Sequence, residues 1–186
     1  MNPLSEVLSV RDATPEDRGY VARTWMETYR GSPLARSLGA AAYSFGWGRV
    51  VTKHLDTSRC AVACLKEDPR AIVGFVVYEL PVAAGKPWRV HYVCVRDTWR
   101  RQGVASMLLA HEHVPDTGVQ YTHTAAHDIP VPKGWGYSPE PAACLEWLRE
   151  IAAAADTAGL VEQGAVIRGL SASVERMAFR IRRVAA

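Results

Sequence analysis

The segment spanning residues 89–109 constrains the fold of this chain most strongly. Residues 89–95 are largely apolar with little alternation, which is typical of a strand that is covered on both faces. A basic turn with one glycine follows, and residues 104–113 then predict a helix with an apolar face. The first amides of a helix have no partner within it, and the helix dipole adds partial positive charge there. The segment therefore predicts an anion-binding turn.

The residues of this turn indicate what kind of anion it would hold. It has no Gly-Lys-Ser/Thr, so it is not a P-loop, and it lacks the first two glycines of a dinucleotide fingerprint. Small residues at Gly103, Ala105 and Ser106 let a ligand reach the backbone. Arg100 and Arg101 add long-range attraction for negative charge. A phosphate or pyrophosphate is the expected ligand.

The remaining patterns predict alternating helices and strands. Thr14 is predicted to cap the first helix, with Pro15 at its first position and Val21, Trp25 and Tyr29 along one face. A second helix is expected near residues 40–55. The other predicted strands are residues 8–11, 60–65, 71–80 and 119–125, of which the second and third form a hairpin. Residues 127–141 contain too many prolines for a regular helix.

Composition excludes several classes of protein. The chain has 186 residues, of which 48% are hydrophobic and 22% charged, which suits a folded domain rather than a disordered one. The net charge of +3 is a weak argument for a nucleic-acid partner, because such domains usually concentrate more basic charge on one face. We expect no membrane span and no export signal, and hence a cytoplasmic protein. The cysteines form no C-x-x-C pair and are expected to be reduced thiols: Cys60, Cys64, Cys94 and Cys144.

The turn and the order of elements resemble a known family. Residues 100–105 read Arg-Arg-Gln-Gly-Val-Ala and match the Q/R-x-x-G-x-G/A signature of the Gcn5-related N-acetyltransferases, the GNAT superfamily. The resemblance covers residues 8–137. It implies an α/β (α+β) fold, with a mixed, mostly antiparallel sheet flanked by helices.

The resemblance also implies acetyl-CoA as the acetyl donor and an amine as the acceptor. The backbone of Val93 and Val95 would hold the pantetheine arm in the manner of a strand, and the amides of residues 101–106 would hold the pyrophosphate. The full set of implied cofactor-binding residues is Val93, Cys94, Val95, Arg100, Arg101, Gln102, Gly103, Val104, Ala105 and Ser106.

Acetyl transfer to an amine needs a base, donors for the oxyanion and a proton for the leaving thiolate. Glu79, at the end of its strand, and His91 are the candidate bases. His91 lies two positions before Val93 and is predicted on the same face of the strand. Tyr137 is the candidate acid. Each also has a structural interpretation: a solvated strand end for Glu79, a packed histidine for His91 and a packed ring for Tyr137.

The chain departs from the family after the strand that follows the signature helix. Members usually carry a helix there that holds the acid tyrosine, whereas residues 124–133 have no helical pattern. The alternative function is therefore a GNAT-like structural or assembly protein, in a phage-like virion for example, with little or no turnover. The acceptor, whether a small molecule or a protein, stays open.

The last residues form a helical extension, so we predict an acyl-CoA-binding domain at residues 1–140 and an extension at residues 141–186. A heptad seam in the extension predicts either docking on its own domain or pairing with another chain in a homo-oligomer. The seam consists of Ile167, Leu170, Val174, Met177, Ile181 and Val184.

No metal site is predicted. His111 and His113 of the His-Glu-His run point apart on a helix. His123, His127 and Asp128 would meet at an ion only if the fold happened to bring them together.

Overall fold

A computed structural model describes residues 4–30, 40–81, 87–121 and 135–137, together with residues 149, 152–153, 156, 159, 162, 164–169 and 171–172. The described helices are α1 (Leu4–Val7), α2 (Arg18–Arg30), α3 (Ala40–Thr57) and α4 (Val104–His111), with a 3₁₀ turn at Asp97–Trp99 before α4. The described strands are β1 (Leu8–Asp12), β2 (Arg59–Leu65), β3 (Ile72–Glu79), β4 (Trp88–Val95), β5 (Val119–Tyr121) and β6 (Trp135–Tyr137).

The strands form one sheet in chain order from β1 to β6. Strands β1 to β4 are antiparallel, and β2 and β3 form the predicted hairpin. Strands β5 and β6 run parallel to β4. The predicted mixed, mostly antiparallel α/β fold is confirmed. Strand β6 lies in the segment for which the sequence analysis excluded a regular helix and predicted no strand.

Each face of the sheet is covered by a separate apolar cluster. Helices α2 and α3 pack on one face, with Val21, Trp25 and Val51 against Phe75 and others. Helix α4 packs on the opposite face, together with Leu4 of α1. These two faces are called the α3 side and the α4 side below. Because the central strands are covered on both sides, their sequences are apolar without alternation.

The first long helix starts later than predicted. It begins at Arg18 rather than at Pro15, after a turn in which the Asp17 amide donates to the Thr14 carbonyl. The cap is Asp17, whose carbonyl accepts the first helical bond, from the Val21 amide at 3.0 Å. The Thr14 hydroxyl donates to the Asp17 carboxylate instead of capping the helix. The predicted start at Pro15 was wrong. The Asp17 carboxylate pairs with Arg11 on β1, and such a contact between separate elements leaves no local sequence signal.

The Asp17 carboxylate is a structural anchor. It is buried, and it accepts hydrogen bonds from Arg11 at 2.5 and 3.1 Å and from the Thr14 amide at 2.7 Å. The hydrogen bonds from the Arg11 guanidinium lower the pKa of Asp17, and burial of the carboxyl raises it by less. The net result is a pKa below the usual value. Arg11 also donates to the Pro69 carbonyl, so the pair joins β1, the hairpin and α2.

Asp17→Asn is expected to lower the free energy of unfolding by about 2 kcal/mol at pH 7, because charged hydrogen bonds to a buried group are lost. The lowered pKa means that the charged carboxylate stabilises the fold above the unfolded-state pKa and that this stabilisation is lost as the pH falls through the folded-state value. The difference between wild type and variant should therefore shrink below about pH 4. Urea unfolding at several pH values measures it, with the exposed Asp116→Asn as control. Equal stability of the two proteins at pH 7 would contradict the anchor role.

The described part of the C-terminal extension packs on the same chain. Ala152 and Ile167 are both buried in the cluster on the α3 side. Arg168 pairs with Asp156 at 2.6 Å. The first residue of the heptad seam thus contacts its own domain, and the other five seam residues lie outside the described residues. The domain boundary at residue 140 stays a prediction.

No helix in the described ranges has the length and apolar character needed to cross a bilayer.

Candidate active site

The signature turn has a backbone that only glycine adopts easily. Gly103 has φ of +94° immediately before the first residue of α4, and Arg101 has φ of +60°. A non-glycine residue at Gly103 would be strained. The chain reverses through this turn and enters the helix with Val104 buried, while residues 101–103 remain exposed.

The amides of the turn make few backbone hydrogen bonds within the part of the chain that the structure describes. Within the described ranges, the Met107 amide donates to the Gly103 carbonyl at 2.9 Å, but the amides of residues 101–106 donate to no backbone carbonyl. Two side chains of the turn make contacts within the turn itself. Gln102 donates to the Thr98 carbonyl, and Arg100 pairs with Asp97 at 2.8 Å. A cluster of unpaired amides at a helix start is suited to an oxyanion.

An open edge of β4 leads to this turn. Strand β4 pairs with β5 only from Trp88 to Val90, and none of the other described residues of β4 pairs with a strand on that edge. We call this edge the β4 gap.

The Arg96 amide donates to the Val73 carbonyl of β3, which makes this a hydrogen-bonded pair of the antiparallel ladder. Because such pairs alternate, the backbone groups of Val93 and Val95 point away from β3 and toward the β4 gap. The Val95 carbonyl accepts a hydrogen bond from Arg100 on that side.

Gly74 of β3 lets the helix start approach the sheet. A Cβ at this position would lie 2.9 Å from the Cys94 carbonyl and 3.3 Å from a methyl group of Val104. Real Cβ atoms essentially never come within 3.0 Å of another atom, so a side chain here would displace the backbone of β4. This is the second glycine, besides Gly103, on which the geometry of the turn depends.

A bulge in β4 sets the direction of His91. Val77 is opposite Tyr92 and Tyr78 is opposite Val90, so His91 is an extra residue in β4. The bulge turns His91 and Tyr92 to the α3 side, while Val93 packs on the α4 side. The prediction that His91 and Val93 share a face was wrong, because a bulge interrupts the two-residue period of a strand.

Glu79 and His91, which the sequence analysis named as alternative bases, lie next to each other. His91 Nε2 lies 3.1 Å from Glu79 Oε1. The His91 side chain is fully buried, whereas that of Glu79 is 30% exposed. Arg89 donates to the other carboxylate oxygen of Glu79 at 3.3 Å, and Ser58 lies at 3.5 Å from Oε1. Glu79 is therefore the member that a solvent-borne molecule can reach.

The third member of this group is His54 of α3, which the sequence analysis did not single out. Its ring centroid lies 4.0 Å from that of His91. It also stacks on Trp25, at 5.8 Å. Burial, and then the neighbouring His91, lower the pKa of His54 to about 3, so its imidazole is neutral at physiological pH. The only sequence signal for His54 is its place on the buried face of a long helix.

Comparisons with known proteins fit this geometry. The model of the acetyltransferase (GNAT) family matches residues 17–125, more than half of the chain, including the signature turn and the Glu79–His91 pair. The chain belongs to the GNAT acetyltransferase family. The resemblance inferred from the sequence is thus confirmed.

Many solved structures resemble this GNAT chain at low sequence identity. A histone acetyltransferase HPA2-related protein of Corynebacterium glutamicum is 20% identical, with a TM-score of 0.44, over 57% of this chain and 70% of that one. A possible acetyltransferase of Clostridium difficile is 13% identical, with a TM-score of 0.47, over 66% and 83%. A GNAT family acetyltransferase of Brucella melitensis, solved with acetyl-CoA, is 12% identical, with a TM-score of 0.41, over 57% and 66%. No curated protein matches.

The other predicted site residues of this GNAT chain fall at two places. Tyr137 is the last residue of β6 and is in register with Tyr121, which is in register with Val90. Its backbone is thus level with the start of the β4 gap, and its side chain lies outside the described residues. Cys94 is half-buried on the α3 side, where burial raises the pKa of its thiol. His123, His127 and Asp128 also lie outside the described residues.

Proposed function

We propose that this chain transfers an acetyl group from acetyl-CoA to a primary amine by direct attack. Acetyl transfer is the activity of the family, whereas the amine acceptor and the residue roles are our proposal. The observation that carries it is the set of amides at residues 101–106 that have no backbone acceptor within the described ranges, beside the β4 gap. The diphosphate would bind these amides, and the pantetheine arm would pair with the backbone of Val93 and Val95.

Glu79 is the proposed base. The amine must lose a proton before or during attack on the thioester, and the base must reach that proton directly or through one water. Glu79 is supported by its partial exposure and by its place on the sheet next to the β4 bulge. His91, fully buried behind it, is proposed to hold the carboxylate in place. Tyr137 is the proposed acid for the leaving thiolate, supported by its register with Tyr121.

The assembly alternative is motivated by the lack of a helical sequence pattern at residues 124–133 and by the heptad seam, which would have to be free to bind another chain. Ile167, the first seam residue, is buried in the core of its own chain, which favours docking within the chain. Oligomerisation through the other five residues, and a cytoplasmic or virion location, remain predictions.

Calorimetric titration with acetyl-CoA tests the cofactor site. We expect saturable binding by the wild-type chain and at least about tenfold weaker binding by Gly103→Val, because a β-branched residue at positive φ distorts the amides of the turn. Gly118→Val is the matched control, since Gly118 also has positive φ, +73°, and lies in open space away from the turn. Its affinity should equal that of wild type. No heat at millimolar acetyl-CoA would overturn the proposal.

A further inference from the structure

We propose that His54, Glu79 and His91 form a binding site for a transition-metal dication such as Zn²⁺, and that its occupancy inhibits acetyl transfer. The binding step stands on the geometry of the three side chains. The inhibition rests on the proposed function, in which Glu79 is the base.

The three ligand atoms are close enough to surround one ion after small adjustments. Each residue offers one ligand atom, and the three atoms lie within 4.8 Å of one another. Zinc binds histidine nitrogen and carboxylate oxygen at about 2.0–2.2 Å, so neighbouring ligands of a tetrahedral ion are about 3.3 Å apart. The 3.1 Å between His91 Nε2 and Glu79 Oε1 is already close to this spacing. Small side-chain rotations would bring His54 to the same spacing.

The ligand set selects the class of metal. Two imidazoles and one carboxylate suit zinc and its transition-metal neighbours, whereas Mg²⁺ and Ca²⁺ prefer sites made of oxygen alone. Three protein ligands leave the fourth position of a tetrahedral zinc ion open to water, as in catalytic zinc sites.

The surroundings support ligation by Glu79 through one oxygen. Arg89 donates to Oε2, whereas Oε1 lies closest to His91 and has only a long contact of 3.5 Å with the Ser58 hydroxyl. Partners of this kind fix the orientation of a metal-binding carboxylate. The partly exposed Glu79 provides the route from solvent to the two buried histidines. The positive charge of Arg89 opposes a dication, so we expect moderate affinity.

Occupancy would remove the base. A carboxylate oxygen that is bonded to a metal ion cannot at the same time accept the proton of an amine. Zinc and the acceptor proton therefore compete for Glu79, while the acetyl-CoA site at the signature turn stays unchanged.

Binding of Zn²⁺ alone to the full chain, without acetyl-CoA, tests the site by competition with a chromophoric chelator. We expect one Zn²⁺ per wild-type chain, affinity weakened at least about tenfold in His54→Asn, and no weakening in His111→Asn, which changes a histidine on the exposed part of α4. Mg²⁺ should not compete. Zn²⁺ should also raise the Tm of wild type but not that of His54→Asn.

Absence of bound Zn²⁺ in wild type, or wild-type affinity in His54→Asn, would overturn the site. If His54→Asn does not fold, Glu79→Gln takes its place, and wild-type affinity in that variant would be equally decisive. A chain that binds Zn²⁺ but transfers no acetyl group would overturn the proposed function and not the site. A chain that transfers acetyl groups without binding Zn²⁺ would overturn the site alone.

Discussion

Replacing Glu79 with glutamine is expected to lower kcat by about 10²- to 10⁴-fold, the usual contribution of a positioned general base. Glutamine keeps the shape of the side chain and a carbonyl oxygen next to His91, but it has no basic lone pair for the amine proton. The affinity for acetyl-CoA should not change, because Glu79 lies at the opposite end of β3 from Gly74, next to which the signature helix begins. Steady-state kinetics with a panel of primary amines and calorimetry with acetyl-CoA measure the two quantities.

Glu67→Gln is the control for this experiment. Glu67 is an exposed carboxylate in the turn of the β2–β3 hairpin, and its loss should leave kcat within about twofold. A Glu79→Gln enzyme with near wild-type kcat would exclude Glu79 as the base and would leave water or His91 in that role. A parallel loss of acetyl-CoA affinity would instead indicate that the substitution distorts the sheet.

Trp25→Ala is expected to lower the free energy of unfolding by about 3–5 kcal/mol, as for other buried aromatic side chains truncated to alanine. Trp25 is fully buried on the α3 side. Its ring stacks on Tyr92 at 5.0 Å with an interplanar angle of 5° and also contacts His54. The indole therefore joins α2 to the bulge of β4, and a cavity there would loosen the support of His91.

Urea unfolding measures this effect, with Trp88→Ala as the matched control. Trp88 is half-buried and stacks on Tyr78 on the α4 side, so its truncation should cost clearly less. A loss below about 1 kcal/mol for Trp25→Ala would show that the α3 side repacks around the missing ring.

The signature region was predictable because its signals are local. The apolar run of β4, the turn glycine and the spacing of Val104 and Leu108 each report the conformation of their own segment. The positive φ at Gly103 is one that this residue type permits without steric cost. The hairpin of β2 and β3 was predictable for the same reason, since its turn residues lie between two apolar runs.

The start of α2 and the strand β6 were not predictable in this way. Asp17 caps α2 in place of Thr14 because Arg11 on β1 holds its carboxylate, and no local pattern reports that contact. Strand β6 consists of Trp135–Tyr137 and exists because it pairs with β5. A segment of three residues carries no period, so its conformation depends on its neighbour in the sheet.

The sequence by itself determined the order of elements, the amide-rich turn at Gly103 and the presence of Glu79 at the end of one strand and His91 within the next. Only the tertiary structure decided which face His91 occupies and that His54 joins it. The physical reason is that periodicity specifies which residues of a segment are buried, but not the register of two strands or the rotation of a helix over a sheet. Strand register and helix rotation are set by tertiary packing. One extra residue in β4 turns His91 toward α3, and the stacking of Trp25 on His54 and Tyr92 places the His54 ring beside it.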